Sequence, residues 1–222
     1  MSDMRKDAAS KTPRGRLAVL ELWCGLAADQ LGTATPDLIV FPERVSQHEI
    51  DQAVACCPDA IIAGAISTKG FMQGVIWHHG RNHIDYLKVG NDGRPGSSLS
   101  PRREQPTIYE SHDLAVGLLI CMDFDIPAVR DGVIDHLHCS AAKFKVLCVP
   151  ADMSRDWFST EPITPPKLDG IRVAVSNGLV HGDNRLRSFI TDRKRMKDTN
   201  AKQVDREPIR LWLCDSGDAD NP

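Results

Sequence analysis

Four short apolar runs, each stopped by a proline or a charge, constrain this chain more than any other feature. They are DLIVFPE (37–43), AIIAGAIST (60–68), LAVGLLICMD (114–123) and FKVLCVPAD (144–152). None alternates apolar with polar residues, as a strand with one wet face would. Runs of this length and character are strands covered on both faces. RLAVLELW (16–23) opens the series, and HEIDQAVACC (48–57) has Ile50, Val54 and Cys57 at helical spacing. Alternating strands and helices predict an α/β protein with helices outside the sheets.

The remaining segments are read by the same rules. GFMQGVIWHHGRNHIDYLKVG (70–90) is a hairpin whose turn is HHGRN, with Gly80 at its centre. NDGRPGSSLSPRREQP (91–106) is a loop long enough to be functional. After Asp123 a helix begins, with Asp125 placed to cap it and Pro127 in its first turn. Val129, Val133, Ile134 and Leu137 make its apolar stripe. A further helix is expected over about 166–177, and GLVHGDN, RSFITDR and PIRLWLC close the chain as short strands. Residues 1–15 are expected to be a flexible lead-in, 16–214 the folded domain, and 215–222 an acidic tail.

Composition bounds the function. A net charge of −3 gives no electrostatic case for nucleic acid or an anionic membrane. No segment approaches the roughly 18 apolar residues of a membrane span, and the N-terminus lacks the apolar core of a secretory signal. Seven cysteines without framework spacing predict thiols, and a soluble cytoplasmic location is expected.

Three strand ends carry side chains that could do chemistry together. Cys121 ends a buried strand just before a helix, a place that exposes a side chain and aims N–H groups at it. Alone, it reads more readily as a buried packing thiol. Cys24, Cys56, Cys57, Cys139, Cys148 and Cys214 lack this setting and are read as packing residues. Glu43 follows Pro42 at another strand end, and Lys88 lies near the end of a hairpin arm. A thiol nucleophile needs a base and a positive partner for the oxyanion it creates, and these two supply them. DHLHC (135–139) is too closely spaced on one helix face to form a metal centre. No metal and no cofactor is expected. His78, His79 and His83 are read as surface or site-supporting groups, and the basic stretch 185–197 as a solvated loop.

The order VFPE, YLK, ICMD, with these settings, resembles the nitrilase, or carbon–nitrogen hydrolase, superfamily. VLCVPAD is similar to that family's strand ending in Pro-Ala. IRVAVSNGLVHGDNR is similar to its helix ending in Glu-Asn followed by a strand leading to Asn-Arg, with Ser176 in the glutamate's place. The resemblance spans about residues 16–213. It implies a four-layer α-β-β-α sandwich with Glu43 as base, Lys88 as oxyanion partner and Cys121 as nucleophile. The Met122 backbone N–H would complete the oxyanion site, and Trp157, Asn177 and Asn184 would contact substrate.

The implied activity is thiol hydrolysis of a non-peptide C–N bond in a small carboxamide or N-carbamoyl compound, with a nitrile less favoured. A homodimer or larger homo-oligomer is implied as well. The chain departs from the family in its short length and in a second glutamate, for which the displaced Glu104 is the nearest candidate. Those departures support an alternative, a degenerate binding or regulatory subunit without turnover. Acyl transfer to an amine is a third reading.

Overall fold

A computed structural model describes residues 19–24, 31–33, 35–68, 71–89, 108–152, 165–178, 189–191 and 209–214. Its strands, in chain order, are β1 (Val19–Cys24), β2 (Leu38–Glu43), β3 (Ile61–Thr68), β4 (Phe71–His78), β5 (Arg81–Leu87), β6 (Ile108–Ser111), β7 (Leu114–Leu118), β8 (Phe144–Ala151), β9 (Arg172–Asn177), β10 (Phe189–Thr191) and β11 (Ile209–Cys214). The helices are α1 (Gln47–Cys56) and α2 (Pro127–Cys139).

The strands form two sheets. One has six strands in the order β11-β1-β2-β3-β4-β5, and the other five in the order β10-β9-β8-β7-β6. In each, three parallel strands make the centre (β1-β2-β3 and β7-β8-β9) and antiparallel strands make the flanks. β2 packs against β8 and β9 of the other sheet. α1 lies on the outer face of the first sheet against β3, and α2 on the outer face of the second against β7 and β8. The layers are therefore α-β-β-α, with one described helix in each outer layer.

The apolar runs divide by parity. Leu38 and Val40 of β2 join the core between the sheets, with Ala63 and Ala65 of β3. Ile39, Phe41 and Ile62 face outward and meet Ile50 and Ala53 of α1. Both sets are buried, so an alternation is present in space that the sequence does not display. α1 starts on a capping box. Ser46 Oγ accepts the Glu49 N–H at 3.2 Å, and the Glu49 carboxylate accepts the Ser46 N–H at 2.8 Å. In the β4–β5 hairpin, His79 (φ 50°) and Gly80 (φ 74°) form the two-residue turn between His78 and Arg81.

Several expectations are corrected. Residues 172–177 are strand β9, parallel to β8, and only a 3-10 turn at Pro165–Leu168 precedes it. Val173, Ala174 and Val175 are buried in succession, which a sheet between two layers allows and a surface helix does not. Gly170, at φ 73°, breaks the run before it. Asp125 does not cap α2. It ends a 3-10 turn, and the N-cap is Ile126 without a side-chain hydrogen bond. Pro127 at the start brings no N–H to be capped. β6 is a short strand that the sequence reading leaves unassigned. Cys56 and Cys139 are exposed at helix C-terminal ends and do not pack, whereas Cys24, Cys57 and Cys148 do. His78 is buried, not a surface group.

Candidate active site

The site forms where β2, β5 and β7 end. β2 carries Pro42, which has no N–H to donate to the ladder with β3. The register shifts there, because Val40 pairs with Ala63 and Glu43 with Ala65. One extra residue on β2 is a bulge, and it changes which face Glu43 takes. Without it, Glu43 would share the outward face of Ile39 and Phe41. With it, Glu43 lies opposite Ala65 and points between the sheets. Its exposure is only 6 %.

Lys88 follows the last residue of β5. Ile84 and Tyr86 face the inter-sheet core, so Lys88, two residues on, faces it too. Its own N–H extends the ladder by donating to Met72 O at 2.9 Å. Its Nζ donates to Glu43 Oε1 at 2.8 Å, with both side chains largely withdrawn from water.

Cys121 comes from the opposite sheet. β7 ends at Leu118, Leu119 continues toward β8 by donating to Cys148 O, and the chain then turns tightly through the 3-10 segment Cys121–Asp125. Cys121 has φ 49°, a left-handed conformation that costs a non-glycine residue energy and is held by its surroundings. The turn lifts the thiol off the strand axis while leaving it only 5 % exposed.

The surroundings set the thiol's acidity. Burial pushes Cys121 up to about 12, and the Glu43 charge, which also accepts the thiol hydrogen bond, adds to the rise. Lys88 and a hydrogen bond with the Asp152 backbone act in the opposite sense. Cys121 is therefore a thiol at neutral pH, already hydrogen-bonded to a carboxylate that can take its proton.

The sequence-derived residues fare as follows. Glu43, Lys88 and Cys121 come together. Met122 is 39 % exposed beside the cysteine, in the first turn of the 3-10 segment, where N–H groups have no acceptor within the turn. Asn177 is buried at the end of β9, paired with Ala151, next to Asp152. It thus reaches the same edge of the second sheet. Trp157, Asn184 and Glu104 lie outside the described residues, as do the segments 1–15 and 215–222 and the charged residues Arg185, Arg187, Arg193, Lys194, Arg195 and Lys197 of the basic stretch, whose centre is β10. Among the described residues no three His, Cys, Asp or Glu side chains are grouped to hold a metal ion. His138 of DHLHC instead contacts Lys167 O at 2.7 Å.

Two features were not read from the sequence. Arg44, at φ 69°, pairs with Asp152 across the site, Nε to Oδ2 at 3.6 Å. Asp123 is fully buried and hydrogen-bonded to Tyr86 and Val89 on either side of the Lys88 segment. An acidic residue inside an apolar run was the available signal.

No protein-family model matches the sequence, and no curated protein matches it. Solved structures do match. A mutant of an amidase from Nesterenkonia AN1, described as of the nitrilase superfamily, superposes with a TM-score of 0.59 at 17 % identity, covering 92 % of this chain and 93 % of that one. A cysteine-to-alanine mutant of that amidase in complex with butyramide gives 0.58 at 17 % identity, over 92 % and 93 % of the chains. A glutamate-to-glutamine mutant, with the acetamide moiety of fluoroacetamide added covalently at the active-site cysteine, gives 0.59 at 18 % identity, over 93 % and 94 %. The chain has the fold of these nitrilase-superfamily amidases.

Proposed function

We propose that this nitrilase-fold chain is a carbon–nitrogen hydrolase that opens a small carboxamide or N-carbamoyl compound through a Cys121 thioester, with a nitrile less favoured. The observation that carries the reading is the convergence of three side chains from three strand ends. Glu43 receives both the Lys88 ammonium at 2.8 Å and the Cys121 thiol hydrogen bond, in a site almost closed to water.

Glu43 takes the thiol proton as Cys121 Sγ attacks the carbonyl carbon. A standing thiolate is disfavoured by burial and by the Glu43 charge, so proton transfer and attack run together. The oxyanion lies between the Lys88 ammonium and the Met122 N–H, where charge develops in a dry site. Glu43 returns the proton to departing ammonia or amine. It then activates water to split the thioester, restoring thiol and acid. Asn177, with Trp157 and Asn184, forms the substrate contacts, and no metal or cofactor is needed.

The fold match to enzymes crystallised with butyramide and with a fluoroacetamide adduct favours a short aliphatic amide as substrate. A location in a reducing compartment and a homo-oligomeric assembly complete the reading.

The test measures ammonia release from a panel of primary amides and N-carbamoyl compounds. At least one should be hydrolysed, and Cys121→Ala should lower its turnover by at least about 1000-fold with the fold intact. Full turnover by Cys121→Ala would sink the assignment. In parallel, fluoroacetamide should modify Cys121 ahead of the exposed Cys56 and Cys139. Modification of those two first, with no amide turned over, would favour a binding subunit.

A further inference from the structure

Lys88 and Cys121 belong to different sheets, and the core between the sheets is mainly apolar. Apolar contacts attract without direction, so they do not by themselves fix a lysine nitrogen against a sulfur. Among the described residues β5 is an edge strand paired with β4 alone, and Lys88, just past its end, keeps a single ladder bond, its N–H to Met72 O.

Asp123 supplies a link between the two. It is two residues from the nucleophile, and its backbone is tied into the turn. Its N–H donates to Ile120 O at 3.0 Å, and its O accepts the Ile126 N–H at 3.2 Å. Its carboxylate crosses to the other sheet. Oδ1 and Oδ2 accept the Val89 N–H at 3.0 and 3.1 Å, and Oδ2 also accepts the Tyr86 hydroxyl. Tyr86 and Val89 bracket Leu87 and Lys88.

The Tyr86 ring is itself confined, because it lies over Gly74. A Cβ there would come within 2.7 Å of both the ring and Leu118 of β7. A fully buried carboxylate is costly unless its lone pairs are used, and both oxygens are.

We propose that Asp123 is a positioning residue that sets the Lys88 ammonium against Glu43 and Cys121, acting as a strut from the nucleophile turn to the lysine strand. The proposal rests on the hydrolase reading above. In this role Asp123 does not act on the substrate itself. It acts through the backbone of Val89 and the hydroxyl of Tyr86.

The test follows alkylation of Cys121 by iodoacetamide in the full-length protein, with Cys56 and Cys139 as internal references. It compares Lys88→Ala, Asp123→Asn, Tyr86→Phe and the double variant Asp123→Asn/Lys88→Ala. Removing a negative charge near the thiol would by itself favour the thiolate and speed alkylation. Lost positioning has the opposite sign.

Lys88→Ala and Asp123→Asn should each slow the reaction, Asp123→Asn by up to about 100-fold, and Tyr86→Phe less. In the Lys88→Ala background Asp123→Asn should cause no further slowing, because only the charge effect is left. Equal rates for Asp123→Asn and wild type, with Lys88→Ala slow, would overturn the strut and leave the triad standing. Losses that multiply in the double variant would overturn it as well, because Asp123 would then act independently of Lys88. If Lys88→Ala itself reacts at the wild-type rate, the triad reading fails and the strut with it. Asp123→Asn and Tyr86→Phe nearly preserve shape, so the comparison does not depend on a variant that leaves a cavity.

Discussion

Glu43 carries two donors at once, and this makes its removal informative. Burial is the larger cause of the raised Cys121 thiol, and the Glu43 charge is the next. Neutralising Glu43 removes the second cause and frees Lys88, so the thiol must titrate at lower pH than in the wild type. Glu43→Gln should therefore alkylate at Cys121 at least as fast as wild type at about pH 8, while amide turnover falls by at least about 100-fold for want of a base. Rates of alkylation and turnover that fall together would contradict the assigned roles. Glu43 and Lys88 were legible in the sequence only as members of a motif order. What neither motif displays is the reason they face inward: the Pro42 bulge for one, the parity of β5 for the other. The contacts of Asp123 were not legible, because its partners lie 34 and 37 positions away.

The elements show where local reading succeeds and where it stops. α1 and α2 were legible because their signals are short-range: apolar residues at helical spacing in both and a proline at the start of α2. β9 was misread because a brief apolar run with flanking polar residues suits a strand or a helix equally, and its pairing with β8 decides the matter. The contact of α2 with β7 rests on a glycine that the sequence does not explain. A Cβ at Gly117 would lie 2.7 Å from Val133 Cγ1 and 3.0 Å from Leu137 Cδ1. Replacing glycine by alanine in a strand usually gains about 0.4–1 kcal/mol from the unfolded chain. Overpacking a tight core costs about 1–3 kcal/mol, and here it wins. Gly117→Ala should lower unfolding free energy by about 1–2 kcal/mol in urea titration. A more stable variant would show that α2 shifts freely and that the close approach is not required.

At the scale of the whole molecule, the two sheets are joined at their β4 and β6 flanks by a polar contact as well as by the core. His78 Nδ1 lies 2.7 Å from the Tyr109 hydroxyl, His83 Nε2 lies 3.0 Å from His78 O, and His79 stacks on His78. Burial holds His78 down to about 4, with His79, His83 and His112 adding to the fall and a hydrogen bond with the Asp59 backbone opposing it. A lowered folded value means the group contributes stability above its unfolded value of 6.5, lost as pH falls toward about 4. Between about pH 7 and pH 5, His78 should cost the fold up to about 2 kcal/mol. His78→Gln should start less stable at pH 7 and lose less on acidification. An unchanged acid loss in urea titration would remove His78 from that role. The sequence by itself determined the kind of most elements, the order of the three candidate side chains and the covering of the strands on both faces. These are written in neighbouring residues, through period, caps and turns. Only the tertiary structure decided which face each strand turns inward, that residues 172–177 extend a sheet, and that Asp123 spans from the Cys121 turn to the strand before Lys88. The physical reason is that register and sheet-on-sheet packing arise from contacts between distant segments, and a one-residue bulge is enough to send a side chain to the other face.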